Sequence, residues 1–130
     1  MSNDHPNAIL ARSLWTAIAE GDPDGIADCF AEDVVLRSFG SNPVAGEYVG
    51  ADGVLDYLAR AGEIADELRS SLTSVFYDDA GAVLTYHVSA LRGERTLEMD
   101  FILVLRMERG RILTAEAVPT DQAVNDAFWS

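Results

Sequence analysis

Apolar residues in the first half of the chain recur at helical spacing. One stripe, with i, i+4, i+7 and i+8 spacing, consists of Leu10, Leu14, Ala17 and Ile18. This spacing predicts a first helix from about Pro6 to Glu20. A short second helix is predicted after Asp22 and Pro23, because the aspartate oxygen caps free amides and proline fits the first helical position. The buried side of this second helix consists of Ile26, Cys29 and Phe30. A third helix is predicted from the apolar stripe Val54, Leu55, Leu58, Ala61 and Ile64.

The rest of the chain has the alternating patterns that are typical of strands. After the second helix, Val34 begins a strand that continues to about Phe39, and a loop follows to Gly50. Glycine-containing turns separate the later strands, so consecutive hairpins predict an antiparallel sheet. A terminal helical turn is predicted after Asp121. The four later strands run roughly from Ser71 to Tyr77, Ala82 to Leu91, Thr96 to Met107 and Arg111 to Val118.

The order of these elements indicates the fold class. Helices precede a series of hairpin-linked strands, which predicts an α+β fold rather than alternating helix and strand units. A chain of 130 residues has the length of one domain, so we expect a single domain over residues 1–130. A long antiparallel sheet bent around helices leaves a cavity between the two layers, and a small ligand is expected there.

The charge and the ends of the chain exclude several partners. The formal net charge is −13, from 9 basic residues, all of them arginine, and 22 acidic residues. Nucleic acid and anionic membranes require basic patches, so we expect neither as a partner. The apolar runs are far shorter than the roughly 20 residues of a membrane span. The polar first residues lack the basic and apolar stretches of a secretory signal, and we expect a cytoplasmic protein.

Cysteine and histidine, the usual ligands of zinc and other transition metals, are scarce. Cys29 is the single cysteine and has no His or Cys neighbour at ligand spacing, so we expect it to be a small buried apolar residue. His5 and His87 are too few for a metal cluster. The sequence also lacks a phosphate-binding glycine loop and a nucleophile elbow. We therefore expect no metal and no cofactor.

An ordered set of short motifs resembles the nuclear transport factor 2-like superfamily. The set comprises the Gly21-Asp22 turn, Phe30-Ala31-Glu32-Asp33-Val34, Gly50-Ala51-Asp52-Gly53 before the third helix, and hairpins ending in Gly110-Arg111-Ile112. The chain is most similar to the SnoaL-like and ketosteroid-isomerase-like branch. This resemblance implies a cone-shaped, cystatin-like roll in which three N-terminal helices cover a curved antiparallel sheet around an apolar pocket. It also implies a homodimer through the outer sheet face, for which Ile102, Val104 and Val88 are available.

The superfamily contains enzymes and binding modules, so individual residues must decide between them. By alignment, Leu14, Ser38 and Leu103 replace the tyrosine, the base and the acid of the ketosteroid isomerases. Isomerisation by that mechanism is therefore not expected. Limonene-type epoxide hydrolases carry an arginine two residues before an aspartate. At this spacing the chain has Glu98 before Asp100, so the arginine is replaced by an acid. SnoaL-like chemistry remains, because an acid and a nearby histidine suffice for intramolecular aldol reactions.

His87 is the first candidate for a catalytic residue. Alternation along its strand places it on one face with Val83, Thr85 and Ser89, and the alignment directs this face into the pocket. Imidazole titrates near neutral pH and carries protons in either direction. A histidine bonded to a neighbouring strand is the alternative interpretation. Thr85, on the same face, is a candidate for ligand binding.

Two carboxylates are candidates to assist His87. Asp100 lies in an apolar strand, and its parity favours the outer face, paired with Arg106 or Arg37, unless a bulge reverses the parity. Asp121 is expected near the pocket mouth, but a carboxylate there is equally suited to cap the first turn of a helix.

Aromatic residues complete the candidate site. Rings commonly line ligand pockets, so four are predicted as lining: Trp15, Phe30, Tyr57 and Phe101. The first functional hypothesis is a SnoaL-like enzyme that acts on a hydrophobic metabolite of polyketide or terpenoid type by general acid–base cyclisation, isomerisation or hydration. The alternative is a noncatalytic module for hydrophobic-ligand binding or dimerisation.

Overall fold

The computed structural model describes residues 5–130 and has the predicted α+β fold. No helix in this range is long and apolar enough to cross a membrane. The described helices are α1 (Pro6–Glu20), α2 (Pro23–Asp28), α3 (Gly50–Ile64) and α4 (Gln122–Trp129). The described strands form one sheet and are β1 (Phe30–Ser38), β2 (Gly46–Val49), β3 (Glu67–Asp78), β4 (Gly81–Arg92), β5 (Arg95–Glu108) and β6 (Arg111–Pro119).

Helices α1 and α2 are bounded by predicted capping residues. Gly21 ends α1 with a left-handed φ of 63°, which glycine adopts at little steric cost. Asp22 caps α2, because its carboxylate accepts a hydrogen bond of 3.1 Å from the Gly25 N–H. The bounds predicted for α1, Pro6 to Glu20, are therefore confirmed.

The order of strands in the sheet is β2-β1-β6-β5-β4-β3. The hairpins from β3 to β6 are antiparallel, as predicted. The prediction of a wholly antiparallel sheet is wrong at β1, which runs parallel to β6. These two strands are joined by a long connection instead of a hairpin, so no tight turn fixes their relative direction. Gly46–Val49, predicted as loop, is the edge strand β2 and pairs antiparallel with β1.

Two boundaries differ from the prediction because backbone pairing extends beyond the apolar pattern. Phe30 was assigned to the buried side of α2, but it is the first residue of β1 and pairs with Ile112. Strand β3 begins at Glu67 rather than near Ser71, because its pairing with β4 continues through polar residues as far as Leu91.

The two faces of the sheet have different neighbours. The inner face packs against α1 and α3, and its central leucines, Leu84, Leu103 and Leu105, are buried. The outer face of the same strands is partly exposed. Cys29 is buried as predicted, and its thiol donates a hydrogen bond to the Gly25 carbonyl oxygen.

Two glycines provide a matched test of the packing. A Cβ at Gly81 would overlap the carbonyl oxygen of Leu105 in β5, whereas a Cβ at Gly62 in α3 would meet no atom within 4 Å. We expect Gly81→Ala to lower the free energy of unfolding by about 1–3 kcal/mol, because backbone must move to relieve the overlap. Gly62→Ala should raise it by about 0.5–1 kcal/mol through helix propensity. Urea denaturation measures both, and an unchanged Gly81→Ala midpoint would contradict the packing at this position.

Candidate functional site

A cavity of about 130 Å³ lies between the inner face of the sheet and helices α1 and α3. Its lining is mainly apolar, and most elements of the fold contribute to it. The aromatic residues of the lining are Trp15, Phe30, Tyr57, Tyr86, Phe101 and Trp129. A concave apolar space of this kind is the usual site for a small ligand.

A row of aromatic rings forms one wall of the cavity. The rings of Trp15 and Tyr86 have centroids 5.1 Å apart, and those of Tyr86 and Phe101 are stacked at 5.6 Å with an interplanar angle of 15°. These distances are typical of favourable aromatic pairs. The Tyr86 ring is therefore fixed between a helix and a neighbouring strand.

The cavity opens beside the first residues of β3. Two lining residues, Leu68 and Ser70, are also exposed on the surface, and Leu68 is 39% exposed. Both face inward with Ala90 and Val88, their partners on β4. A ligand would therefore enter past an apolar residue and a single hydroxyl.

The polar groups that line the cavity are neutral. Burial is the main cause of the raised pKa of Tyr86, and the nearby Tyr57 adds to it. Burial also raises the pKa of Tyr57, against a smaller opposite effect of Ser38. Both phenols therefore stay protonated at neutral pH. The indole N–H of Trp129 donates to the Asn125 side-chain oxygen at 3.0 Å.

Four of the five predicted ligand-binding residues line this cavity: Trp15, Phe30, Tyr57 and Phe101. Their contact with a ligand stays a prediction. The expected position of Thr85 is wrong, because Thr85 lies on the outer face, opposite Ile102 on β5 and Ser74 on β3.

The expectation that His87 projects into the cavity is also wrong. His87 lies on the outer face opposite Asp100, and its side chain is 39% exposed. Its Nδ1 lies 2.9 Å from the Asp100 carboxylate and its Nε2 lies 2.9 Å from the Glu98 carboxylate. The hydrogen bonds to Glu98 and Asp100 raise the pKa of His87, and the bond to His87 lowers the pKa of Glu98. The alternative interpretation, a histidine bonded to a neighbouring strand, describes this arrangement.

The two candidate carboxylates also lie away from the described cavity lining. Asp100 faces outward, as its parity favoured, but its partner is His87 rather than an arginine. Asp121 is exposed and caps α4, accepting a hydrogen bond of 3.1 Å from the Val124 N–H. The structure therefore does not bring the three candidate catalytic residues together in the cavity, and their catalytic roles stay predictions.

Tyr86 and Trp129 are aromatic lining residues that the sequence analysis did not predict. Strand β4 alternates between a face with Leu84, Tyr86 and Val88 and a face with Thr85 and His87. The first face is more apolar, and the more apolar face of a strand packs on the core. The polarity of the two faces of β4 therefore indicates the observed orientation, whereas the alignment predicts the opposite one. Among residues 5–130, no group of three or more His, Cys, Asp or Glu side chains is arranged to hold a metal ion.

The chain resembles solved structures over nearly its whole length. Bal32a, from a soil-derived mobile gene cassette, superimposes with a TM-score of 0.90 at 23% identity and covers 96% of this chain and 97% of its own. An NTF2-like protein from Burkholderia pseudomallei has a TM-score of 0.86 at 20% identity over 97% and 98% of the two chains. TerC, co-crystallised with polyporic acid, has a TM-score of 0.84 at 16% identity over 95% and 98%. These similarities confirm the nuclear transport factor 2-like fold.

Sequence comparison gives the family. The uncharacterised protein Rv0034 of Mycobacterium tuberculosis is 28% identical over 129 residues, which are 98% of each chain. A model of the SnoaL-like domain family matches residues 11–115. Because this match spans most of the helices and the sheet around the cavity, the chain belongs to the SnoaL-like domain family.

Proposed function

We propose that this protein binds a small, neutral, hydrophobic molecule inside the cavity. The observation that carries the proposal is an apolar, aromatic-lined space of about 130 Å³ with an opening at β3. Within the described chain, none of the lining residues has a carboxylate, an imidazole or a guanidinium. A charged ligand would lose its hydration there without gaining a counter-charge, which is costly. TerC, which shares the fold, was co-crystallised with polyporic acid.

Acid–base catalysis on a hydrophobic metabolite is the second candidate. Two phenols, Tyr57 and Tyr86, reach the cavity and are able to donate hydrogen bonds to a reacting oxygen. Cyclisation, isomerisation or hydration of a polyketide or terpenoid also requires a proton acceptor, and His87 lies on the opposite face of the sheet. Native mass spectrometry separates the candidates, because a co-purified ligand with unchanged mass supports binding and a changed mass supports catalysis.

The outer face of the sheet supports a further proposal, a homodimer through this face. Phe76 is 60% exposed there and lies opposite Val83 on β4. Val83 in turn lies opposite Val104, and Ile102 lies opposite Val118. These residues, which we call the apolar outer patch, adjoin each other across four strands. Val88, expected on this face, lies on the inner face and lines the cavity.

A larger side chain inside the cavity should weaken ligand binding. Ala61 in α3 is buried and lines the cavity, whereas Ala59 in the same helix is exposed. Ala61→Leu should weaken the binding of toluene, a neutral one-ring probe, by about tenfold or more, because the added carbons occupy the ligand's space. Ala59→Leu is the matched control and should bind like the parent protein. Calorimetric titration measures both, and equal affinity for all three proteins would contradict the site.

Adding a charge to the apolar outer patch should separate the dimer. Val104→Glu would bring a carboxylate into the centre of the patch and opposite Glu116. We expect sedimentation velocity at micromolar concentration to show a dimer for the parent protein and a monomer for this variant. Val124→Glu is the control, because Val124 is 49% exposed on α4, away from the sheet face. A monomeric parent protein would contradict the proposal.

His87 should affect stability in a pH-dependent manner. Its raised pKa stabilises the folded state below the ordinary value of 6.5, and this contribution is lost as pH rises through the raised pKa. The lowered pKa of Glu98 contributes above the ordinary value of 4.5 and is lost at more acidic pH. His87→Gln should therefore destabilise the protein more near pH 5.5 than at about pH 9, as thermal unfolding measures. The affinity of the variant for toluene should equal that of the parent protein. A reduced affinity would indicate that His87 contributes to ligand binding in the cavity.

A further inference from the structure

The Tyr86 hydroxyl is a polar group of the cavity that has no hydrogen-bond partner among residues 5–130. The ring points inward from β4 and is fixed between Trp15 and Phe101. Within the same part of the chain, no fully enclosed side-chain nitrogen or oxygen lacks a partner. The unpaired hydroxyl is therefore accessible from the cavity. It is a donor at a fixed position in an apolar space, and pairing it there is favourable.

Apart from the indole N–H of Trp15, the other polar side chains of the lining have a polar neighbour or are exposed at the opening. The Trp129 N–H donates to Asn125, and the Tyr57 hydroxyl has Ser38 as a neighbour. Ser70 is exposed at the opening, so its hydroxyl is accessible to bulk solvent. Among the hydroxyls of the lining, that of Tyr86 is thus the one best placed to select a ligand by its chemistry. Because burial raises its pKa, the hydroxyl remains a donor across the physiological pH range.

The size of the cavity limits the ligand. An apolar cavity of about 150 Å³ accommodates benzene, and the space here is about 130 Å³. One six-membered ring therefore fills it, and a fused polycyclic molecule would extend out of the opening. The neutral lining excludes carboxylates and ammonium groups on the enclosed part of the ligand.

We propose that the cavity selects a neutral molecule of about one six-membered ring that bears a carbonyl oxygen, which accepts a hydrogen bond from the Tyr86 hydroxyl. The proposal rests on the proposed function, because it requires that the cavity bind ligands. Tyr86 is here a specificity-determining residue. Loss of a carbonyl would leave its hydroxyl unpaired in the apolar space, so the site discriminates against hydrocarbons of the same shape.

Two compounds of the same shape test this selection. Cyclohexanone carries a carbonyl oxygen, and methylenecyclohexane carries a CH₂ group in its place. Tyr86→Phe should weaken cyclohexanone binding by about three- to tenfold, the value of one net hydrogen bond. The affinity for methylenecyclohexane should stay the same or rise. The affinity of each compound is compared between the parent protein and the variant, so the different hydration of the two compounds does not affect the comparison.

Tyr48→Phe is the matched control. Tyr48 donates its hydroxyl hydrogen bond to the Val44 carbonyl oxygen at 2.8 Å and is not part of the cavity lining. This variant loses the same atom outside the cavity and should bind both compounds like the parent protein. Near-ultraviolet circular dichroism checks that both variants are folded.

The outcomes separate the two proposals. If neither compound binds the parent protein, the proposed function fails, and this inference fails with it. If both compounds bind but Tyr86→Phe leaves the cyclohexanone affinity unchanged, or weakens both compounds equally, Tyr86 is not the anchor. If Tyr86→Phe does not fold, the infrared carbonyl stretch of cyclohexanone bound to the parent protein decides. A lower frequency than in hexane supports a hydrogen bond, and an equal frequency overturns it.

Discussion

The site depends on the register of β4 against its neighbours. Leu84 and Val88 are buried on the inner face, so Tyr86, between them on the same face, also points inward. A shift by one residue would expose these apolar side chains and bury His87. Burial of each apolar side chain contributes about 1.5–3 kcal/mol, whereas an imidazole without a partner in the same place would be unfavourable. The hydrophobic core thus determines that a phenol lines the cavity and that an imidazole lies outside.

The elements that local chemistry determines were predictable from the sequence. Helix α1 required only its apolar stripe and Gly21, and α2 required the Asp22 cap. The hairpins from β3 to β6 required alternation and glycine turns. The parallel pairing of β1 with β6 was not predictable in this way, because contacts distant in sequence determine it. Strand β2 also has little apolar pattern and exists because it pairs with β1.

The candidate site also contains residues whose position was predictable from the sequence and residues whose position was not. Trp15, Tyr57 and Phe101 were predictable as lining residues because aromatic rings commonly line ligand pockets, and all three line the cavity. For His87, the alignment predicted the inner face, whereas the polar neighbours Thr85 and Ser89 on the same face are typical of an outer face. The packing followed polarity, which has a direct energetic basis. Alignment with distant relatives carries less weight, because a bulge or a turn of different length reverses the parity of a strand.

The distribution of charge explains why the cavity suits a neutral ligand. Despite the 22 acidic residues of the chain, Asn125 is the one buried polar or charged residue in the range 5–130. His87 lies on the outer face, where its two ring nitrogens are hydrogen-bonded to the solvent-accessible carboxylates of Asp100 and Glu98. The same separation leaves the cavity with hydroxyl and indole donors alone. A neutral donor retains its hydrogen-bonding capacity in an apolar space, whereas an ionised group there would require a partner of opposite charge. In the proposed mode of binding, selection therefore depends on the shape of the ligand and on the position of a single acceptor oxygen.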